Sequence, residues 1–196
     1  MATAEQIKQL REQTGAGVLE AKKVLDEHNG DFEKARDILK ARGMAKADKK
    51  SERTAKDGLI ESYIHGGGRL GVLVEVNCET DFVARTEEFK QLVHDIAMQV
   101  AATNPKYVSV EEIPPAEAEA QRKTYEDATR AEGKPEAIIS KIVQGKLDKY
   151  YGETVLLRQP FIRDETTTMG DLVKAVIAKT GENIVVRRFA RFALGE

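Results

Sequence analysis

The sequence predicts an α+β fold, with a three-helix N-terminal module, an antiparallel β-sheet core with packed helices, and a projecting helical hairpin. Three observations carry this. Residues 3–43 repeat apolar side chains at helical spacing between glycine stops. From residue 58 the period changes to strand-like alternation in "GLIESYIH" and "RLGVLVEVN". Residues 111–157 then read as helix again, but polar, with a thin apolar seam. The expected division is a module at 1–45, a charged linker at 46–56, and a core domain at 57–196 with the hairpin at about 112–155.

In the first helix Thr3 and Gln6 have the spacing of a capping box, Ile7 and Leu10 face inward, and Gly15 stops it. The second takes its apolar face from Val18, Ala21, Val24 and Leu25 and ends at Gly30. Asp31 is the N-cap of the third, with Ala35, Ile38 and Leu39 inside and Gly43 closing it. Residues 44–57, "MAKADKKSERTAKD", interleave Lys46, Lys49, Lys50, Arg53 and Lys56 with Asp48, Glu52 and Asp57. They read as a helical or flexible linker; the alternative, a phosphate-binding strip, is blunted by the acids.

Leu70, Val72, Val74 and Val76 share one face of a strand, and "GGG" at 66–68 is the hairpin turn before it. No Lys-Ser/Thr pair and no helix start follow those glycines, so they are not a nucleotide loop. A helix begins at Thr86 and carries one stripe of Phe89, Leu92, Val93, Ile96, Ala97, Val100 and Ala101. Pro114 and Pro115 open the polar helix, Gly133-Lys134-Pro135 breaks it, and Ile138, Ile139, Ile142, Val143, Leu147 and Tyr150 return. "VLLRQPFI" is expected to rejoin the sheet as an extended segment, because Pro160 restricts Gln159. Thr168 and Asp171 cap a helix with Leu172, Val173, Val176 and Ile177 inward, stopped by Gly181. "NIVVRRFARFAL" closes as an edge or interface strand, since Arg187, Arg188 and Arg191 fall on both faces.

The stretch "NCETDFVAR" (77–85) sets a bulky pair, Phe82 and Val83, where the chain should turn. The stripe from Phe89 already covers the sheet, so the core does not require Phe82. Val83 is expected to pack back against the start of the helix, leaving Phe82 to protrude.

Several function classes are excluded. Thirty-one basic against 33 acidic residues give a net charge of −2, no excess favouring nucleic acid. No apolar run nears the roughly 20 residues that span a bilayer. The N-terminus lacks a signal-peptide stretch, and Cys78 is the only cysteine, so a reducing cytoplasmic setting is expected. His28, His65 and His94 are scattered, so no metal site and no cofactor are expected. None of the serine-hydrolase, zincin, Walker or C-x-x-C motifs occurs, so no catalytic residue is assigned. Asp81 lacks an evident partner for base catalysis, Glu75 and Glu79 read as solvent-facing, and Cys78 reads as a small semi-buried strand-end residue.

Six blocks occur in order: "LREQTGAGVLEAKKVLDEHNGD" (10–31), "VEVNCETDFVAR" (74–85), "NPKYVS" (104–109), "EGKPEAIISKIVQGKLDKYY" (132–151), "QPFIRD" (159–164) and "ENIVVRRFARF" (182–192). Together they resemble the bacterial translation elongation factor Ts family, in its short, single-core form. The resemblance implies a ubiquitin-associated-like N-terminal module and guanine-nucleotide exchange on elongation factor Tu, in its GDP-bound and nucleotide-free forms. It implies that Thr80, Asp81, Phe82 and Val83 wedge in near that GTPase's magnesium site. It carries Arg11, Val18, Leu19 and Lys22 over as contacts of the N-terminal module. Val18 and Leu19 stand where family members often have methionine; Val18 could equally be core to its module, whereas Leu19 lies at a more exposed angle. Short members are expected to form homodimers, here through the strand at 183–194. Two rivals remain: a non-exchange binding module indifferent to Phe82, and a nucleic-acid binder using 44–57, which the net charge opposes.

Overall fold

The computed structural model describes residues 2–196. Helices α1 (Ala4–Thr14), α2 (Val18–Glu27) and α3 (Phe32–Asp48) close a small core of Leu10, Ala21, Val24, Leu25, Ala35 and Leu39. The capping box at Thr3 is present: its hydroxyl accepts the Gln6 amide at 3.2 Å, and the Gln6 carboxamide accepts the Thr3 amide at 3.0 Å. Asp31 caps α3 through the Lys34 amide at 3.0 Å.

Gly43 does not close α3, which runs on to Asp48. The glycine is there for clearance. A Cβ at 43 would stand 3.0 Å from the Cβ of Ala178, on α8 (Met169–Thr180). Gly15 does stop α1, with φ 69°, and a Cβ on it would fall 2.5 Å from the Lys179 Cα. Both glycines therefore let the module's backbone rest directly on α8.

Strands β1 (Asp57–His65), β2 (Leu70–Cys78) and β5 (Val185–Ala193) form an antiparallel sheet with β2 in the centre. Gly66, Gly67 and Gly68 all take positive φ, the reason three glycines stand in that loop. Val72, Val74 and Val76 are buried on the inner face beneath α5 (Glu87–Thr103), whose stripe of Phe89, Leu92, Val93, Ile96 and Val100 is likewise buried. Helix α8 adds Met169, Val173, Val176 and Ile177 to the same core.

A bulge explains the arginines of β5. Glu75 pairs with Arg188 and Val76 with Val186, so Arg187 is the extra residue. Arg187 and Arg188 are both exposed, while the Arg191 Nε points inward and donates to the Ala101 carbonyl at 3.4 Å.

"VLLRQPFI" does not rejoin the main sheet. Leu156–Arg158 is a 3₁₀ turn, and only Pro160–Phe161 (β3) is strand, paired with β4 (Asp164–Thr168) in a separate ribbon. A buried side chain from α5 takes the backbone bonds instead. Gln99 Nε2 donates to the Pro160 carbonyl and to Gln159 Oε1, both at 3.1 Å, and Gln99 Oε1 accepts the Ile162 amide at 3.0 Å. Proline has no amide to offer a ladder in any case.

Helices α6 (Pro115–Ala131) and α7 (Glu136–Thr154) pair along Ile139, Val143, Leu147, Tyr125 and Tyr151. At the hairpin's base the Glu117 carboxylate accepts both the Tyr107 hydroxyl, at 2.7 Å, and the Tyr150 hydroxyl, at 2.9 Å. That hydrogen bond is the main cause pushing the Tyr107 hydroxyl up to about 12, and it holds Glu117 below the ordinary carboxylate range. The remaining helix, α4 (Asp81–Ala84), is a single turn.

Phe89 is fully buried at the sheet–helix contact. Phe89→Ala should cost about 3–5 kcal/mol and lower the melting temperature by on the order of 10 °C, readable by calorimetry.

Candidate functional site

The strongest candidate is the corner between β2 and α5. The chain leaves the sheet at Cys78, bends at Glu79, is extended at Thr80, and makes α4 before Thr86 starts α5. Thr86 serves both helices: its hydroxyl donates to the Val83 carbonyl at 2.8 Å and accepts the Phe89 amide at 3.3 Å. Successive residues on a helix are about 100° apart, so a turn that buries one side chain presents its neighbour outward. Val83 is 8% exposed and Ala84 is buried; Phe82 is 81% exposed. Asp81 is also exposed and accepts the Arg85 guanidinium at 2.7 Å, a partner that sequence reading did not find.

Beneath this turn lies a residue that sequence reading missed, Glu182, in the connection from α8 to β5. One carboxylate oxygen accepts the amides of Glu79 at 3.1 Å and Thr80 at 3.0 Å; the other accepts the Thr80 hydroxyl at 2.6 Å. The block "ENIVVRRFARF" begins at Glu182, but nothing local links it to a loop 102 residues earlier.

Two glutamates expected to face solvent do not. Glu79 is half-buried and accepts the Asn183 amide at 2.6 Å, with Arg53 at 3.6 Å. Glu75 is half-buried opposite Arg188 in the sheet register, and the two pair at 2.7 Å. Cys78 is buried and donates its thiol to the Thr80 carbonyl at 3.1 Å. Burial first, and then the Glu182 charge, push that thiol up to about 11, the opposite of an activated nucleophile.

The second group of expected residues lies at the start of α2. Glu20 turns towards α3, where Lys46 pairs with it at 2.7 Å, and Ala21, Val24 and Leu25 enter the module's core. That orientation leaves Leu19 83% and Val18 49% exposed. Val18 opens the helix and stands outside the buried cluster, so only its helical phase, not its burial, matches the apolar face. Arg11 and Lys22 are exposed, and neither makes an ion pair among the described residues. Thr80 to Val83 form one turn, and Val18, Leu19 and Lys22 share the first turns of α2, whereas Arg11 lies on α1. Among the described residues, no hydrogen bond or ion pair joins Arg11, Val18, Leu19 or Lys22 to the 80–83 turn.

His65 and His94, distant in sequence, both approach the Tyr63 ring, at 5.9 and 5.7 Å between centroids. Among the described residues no group of three or more His, Cys, Asp or Glu could hold a metal, and no helix is long and apolar enough to cross a membrane.

As a class, then, this is a candidate protein-binding factor, whose outstanding surface features are apolar side chains held outward on braced turns. Comparison with known proteins makes this specific. The family model described as "Elongation factor TS" matches residues 2–196. The chain is 56% identical over 194 residues to the elongation factor Ts of Coprothermobacter proteolyticus, covering 99% of this chain and 98% of that one. It is 56% identical over 196 residues to that of Caldanaerobacter subterraneus subsp. tengcongensis, covering 100% and 98%. It is 52% identical over 196 residues to that of Carboxydothermus hydrogenoformans, covering 100% and 90%. The chain belongs to the elongation factor Ts family.

With a pKa of about 11, roughly one Cys78 thiol in a thousand is ionised at pH 8. Cys78 should therefore resist an aromatic disulfide reagent for hours in the native protein and react fully in denaturant; rapid native labelling would contradict the burial.

Proposed function

We propose that this protein is the guanine-nucleotide exchange factor of the translational GTPase elongation factor Tu, acting on its GDP-bound form and holding its nucleotide-free form. The observation that carries the reading is the Phe82 ring, exposed at the head of a turn that is bonded from below. Family membership supports the general role; the turn supports a physical route to it.

An exchange factor must bind the nucleotide-free GTPase more tightly than the GDP complex, and by reciprocity GDP then loosens the factor. Burying a phenylalanine contributes roughly 1.5–3 kcal/mol, and each 1.4 kcal/mol is about tenfold in affinity. Phe82 inserted between helices of the GTPase near its magnesium site supplies energy of that size where it disturbs metal and phosphate contacts. Val83 stays in this protein's own core and keeps the turn stiff. Because the turn is already ordered, little conformational entropy is lost when it docks. Thr80 caps the turn, and Asp81, shared with Arg85, is the charge available to fix the tip in its complex. The exposed Leu19 and Val18, with Lys22 on the same helix and Arg11 on α1, provide a second contact on the nucleotide domain. The magnesium belongs to the GTPase. This chain acts in the cytoplasm by binding, with no covalent chemistry, cofactor, membrane or nucleic-acid role of its own.

The test is release of fluorescent GDP from elongation factor Tu. The wild-type protein should accelerate it at micromolar concentration, and Phe82→Ala should cut the acceleration roughly ten- to hundredfold. The same variant should shift the melting temperature by no more than about 2 °C, as for other exposed sites. A binding-only module would leave GDP release unaccelerated.

We further propose a homodimer. The sheet's outer face, away from α5, is uncovered and largely apolar apart from the Glu75–Arg188 pair and Ser62: Ile60, Ile64, Leu73, Phe192 and Leu194 are all exposed, Phe192 to 72%. Strand β5 is at the sheet edge, and a two-fold contact there would set Phe192 of each copy into the partner's apolar face. Light scattering should give twice the chain mass of 21.7 kDa, and Phe192→Asp should return it to the chain mass without loss of fold.

A further inference from the structure

Three distant segments meet under the Phe82 turn. Asn183 is buried, and its side-chain amide donates to the Ser51 carbonyl at 3.3 Å and to the Arg53 carbonyl at 2.7 Å. Its backbone amide donates to the Glu79 carboxylate at 2.6 Å, which the Arg53 guanidinium also approaches at 3.6 Å. Next to it, Glu182 holds the amides of Glu79 and Thr80 and the Thr80 hydroxyl. Two consecutive residues thus grip, respectively, the loop that carries Phe82 and the segment that leads from the N-terminal helices.

We propose that Glu182 and Asn183 are positioning residues that set the pose of Phe82 and tie it to the segment carrying the N-terminal module, so that the two contact surfaces engage a partner in fixed register. This rests on the exchange-factor reading above.

A four-residue helix has no stability of its own; its direction is inherited from whatever holds its first residues. Its own cap bond is long, 3.5 Å from the Val83 amide to the Thr80 hydroxyl, whereas that hydroxyl's bond to Glu182 is 2.6 Å. By accepting the hydrogen bond from the Thr80 hydroxyl, Glu182 leaves an oxygen lone pair free for the Val83 amide. A carboxylate accepting three donors gives stronger, charge-assisted bonds than a neutral group would. Asn183 carries the constraint across to residues 51 and 53, which follow α3 closely along the chain.

The experiment is fluorescent-GDP release from elongation factor Tu at increasing concentrations of the full chain, separating the maximal rate from the half-saturating concentration. Glu182→Ala should lower the maximal rate about tenfold, the factor that 1.4 kcal/mol carries, with the half-saturating concentration within about threefold. Glu182→Gln keeps an acceptor for the two amides and should recover the rate to within about threefold of wild type. Glu182→Ala combined with Phe82→Ala should be little worse than Phe82→Ala alone, because both act through one side chain. Asn183→Ala should raise the half-saturating concentration about threefold, as the two surfaces lose register. A wild-type maximal rate for Glu182→Ala, or losses that simply multiply in the double variant, would overturn the tip assignment; unchanged kinetics for Asn183→Ala would overturn the linker's part.

Amide hydrogen exchange of the free protein separates this from the wedge reading and from misfolding. Residues 79–84 should exchange faster in Glu182→Ala while α5 keeps its protection. Unchanged protection at 79–84 overturns the junction whatever the kinetics. Normal exchange activity in Phe82→Ala would instead sink the wedge reading and leave the amide test of the junction standing.

Discussion

The exposed Phe82 turn and the open outer face of the sheet both trace back to one packing contact, the stripe of α5 laid along the inner face of β2. Val72, Val74 and Val76 meet Phe89, Leu92, Val93 and Ile96, and all seven are almost fully buried. Strand β2 is also paired on both edges, so it cannot shift without breaking two ladders. With the end of β2 and the start of α5 both fixed, residues 79–86 must turn within a short span. The space under that turn is filled by Val83 and Ala84, and the next side chain in helical phase, Phe82, has nowhere to go but outward.

The same contact is one-sided, and that leaves the outer face of the sheet open. A central strand covered on both faces reads as a continuous apolar run; here β2 alternates, with Leu73 and Glu75 on the outer side. Apolar residues nevertheless recur on that side in β1 and β5. The Glu75–Arg188 pair is the polar part of that face, and the exposed Ile60, Ile64 and Phe192 beside it form the apolar surface on which the homodimer proposal rests.

Polar side chains hold the corners that apolar packing leaves free. Gln99 ties the 159–162 segment to α5, Glu117 ties α6 to Tyr107 and Tyr150, and Glu182 with Asn183 ties the Phe82 turn to residues 51–53. Among the described residues no buried side-chain nitrogen or oxygen lacks a partner, so these bonds replace the water the groups would otherwise need. Each is a side chain bonding backbone or hydroxyl groups of a remote segment, which gives direction where hydrophobic contact gives only proximity.

What the sequence determined by itself was periodic. Alternation marked β1 and β2, the stripe from Phe89 marked α5, and side-chain caps at Thr3, Asp31 and Thr168 marked helix starts, because each signal lies within a few residues of the element it defines. The separation of Phe82 from Val83 was legible for the same reason: the covering helix was already accounted for. Tertiary structure decided the rest. Gly43 reads as a stop until Ala178 is seen against it, "VLLRQPFI" reads as a sheet strand until Gln99 takes its backbone bonds, and Glu79 reads as solvated until Asn183 arrives from 104 residues away. Local pattern reports which face of an element is apolar; only the folded chain brings a glutamate such as Glu182 under a turn whose sequence contains no trace of it.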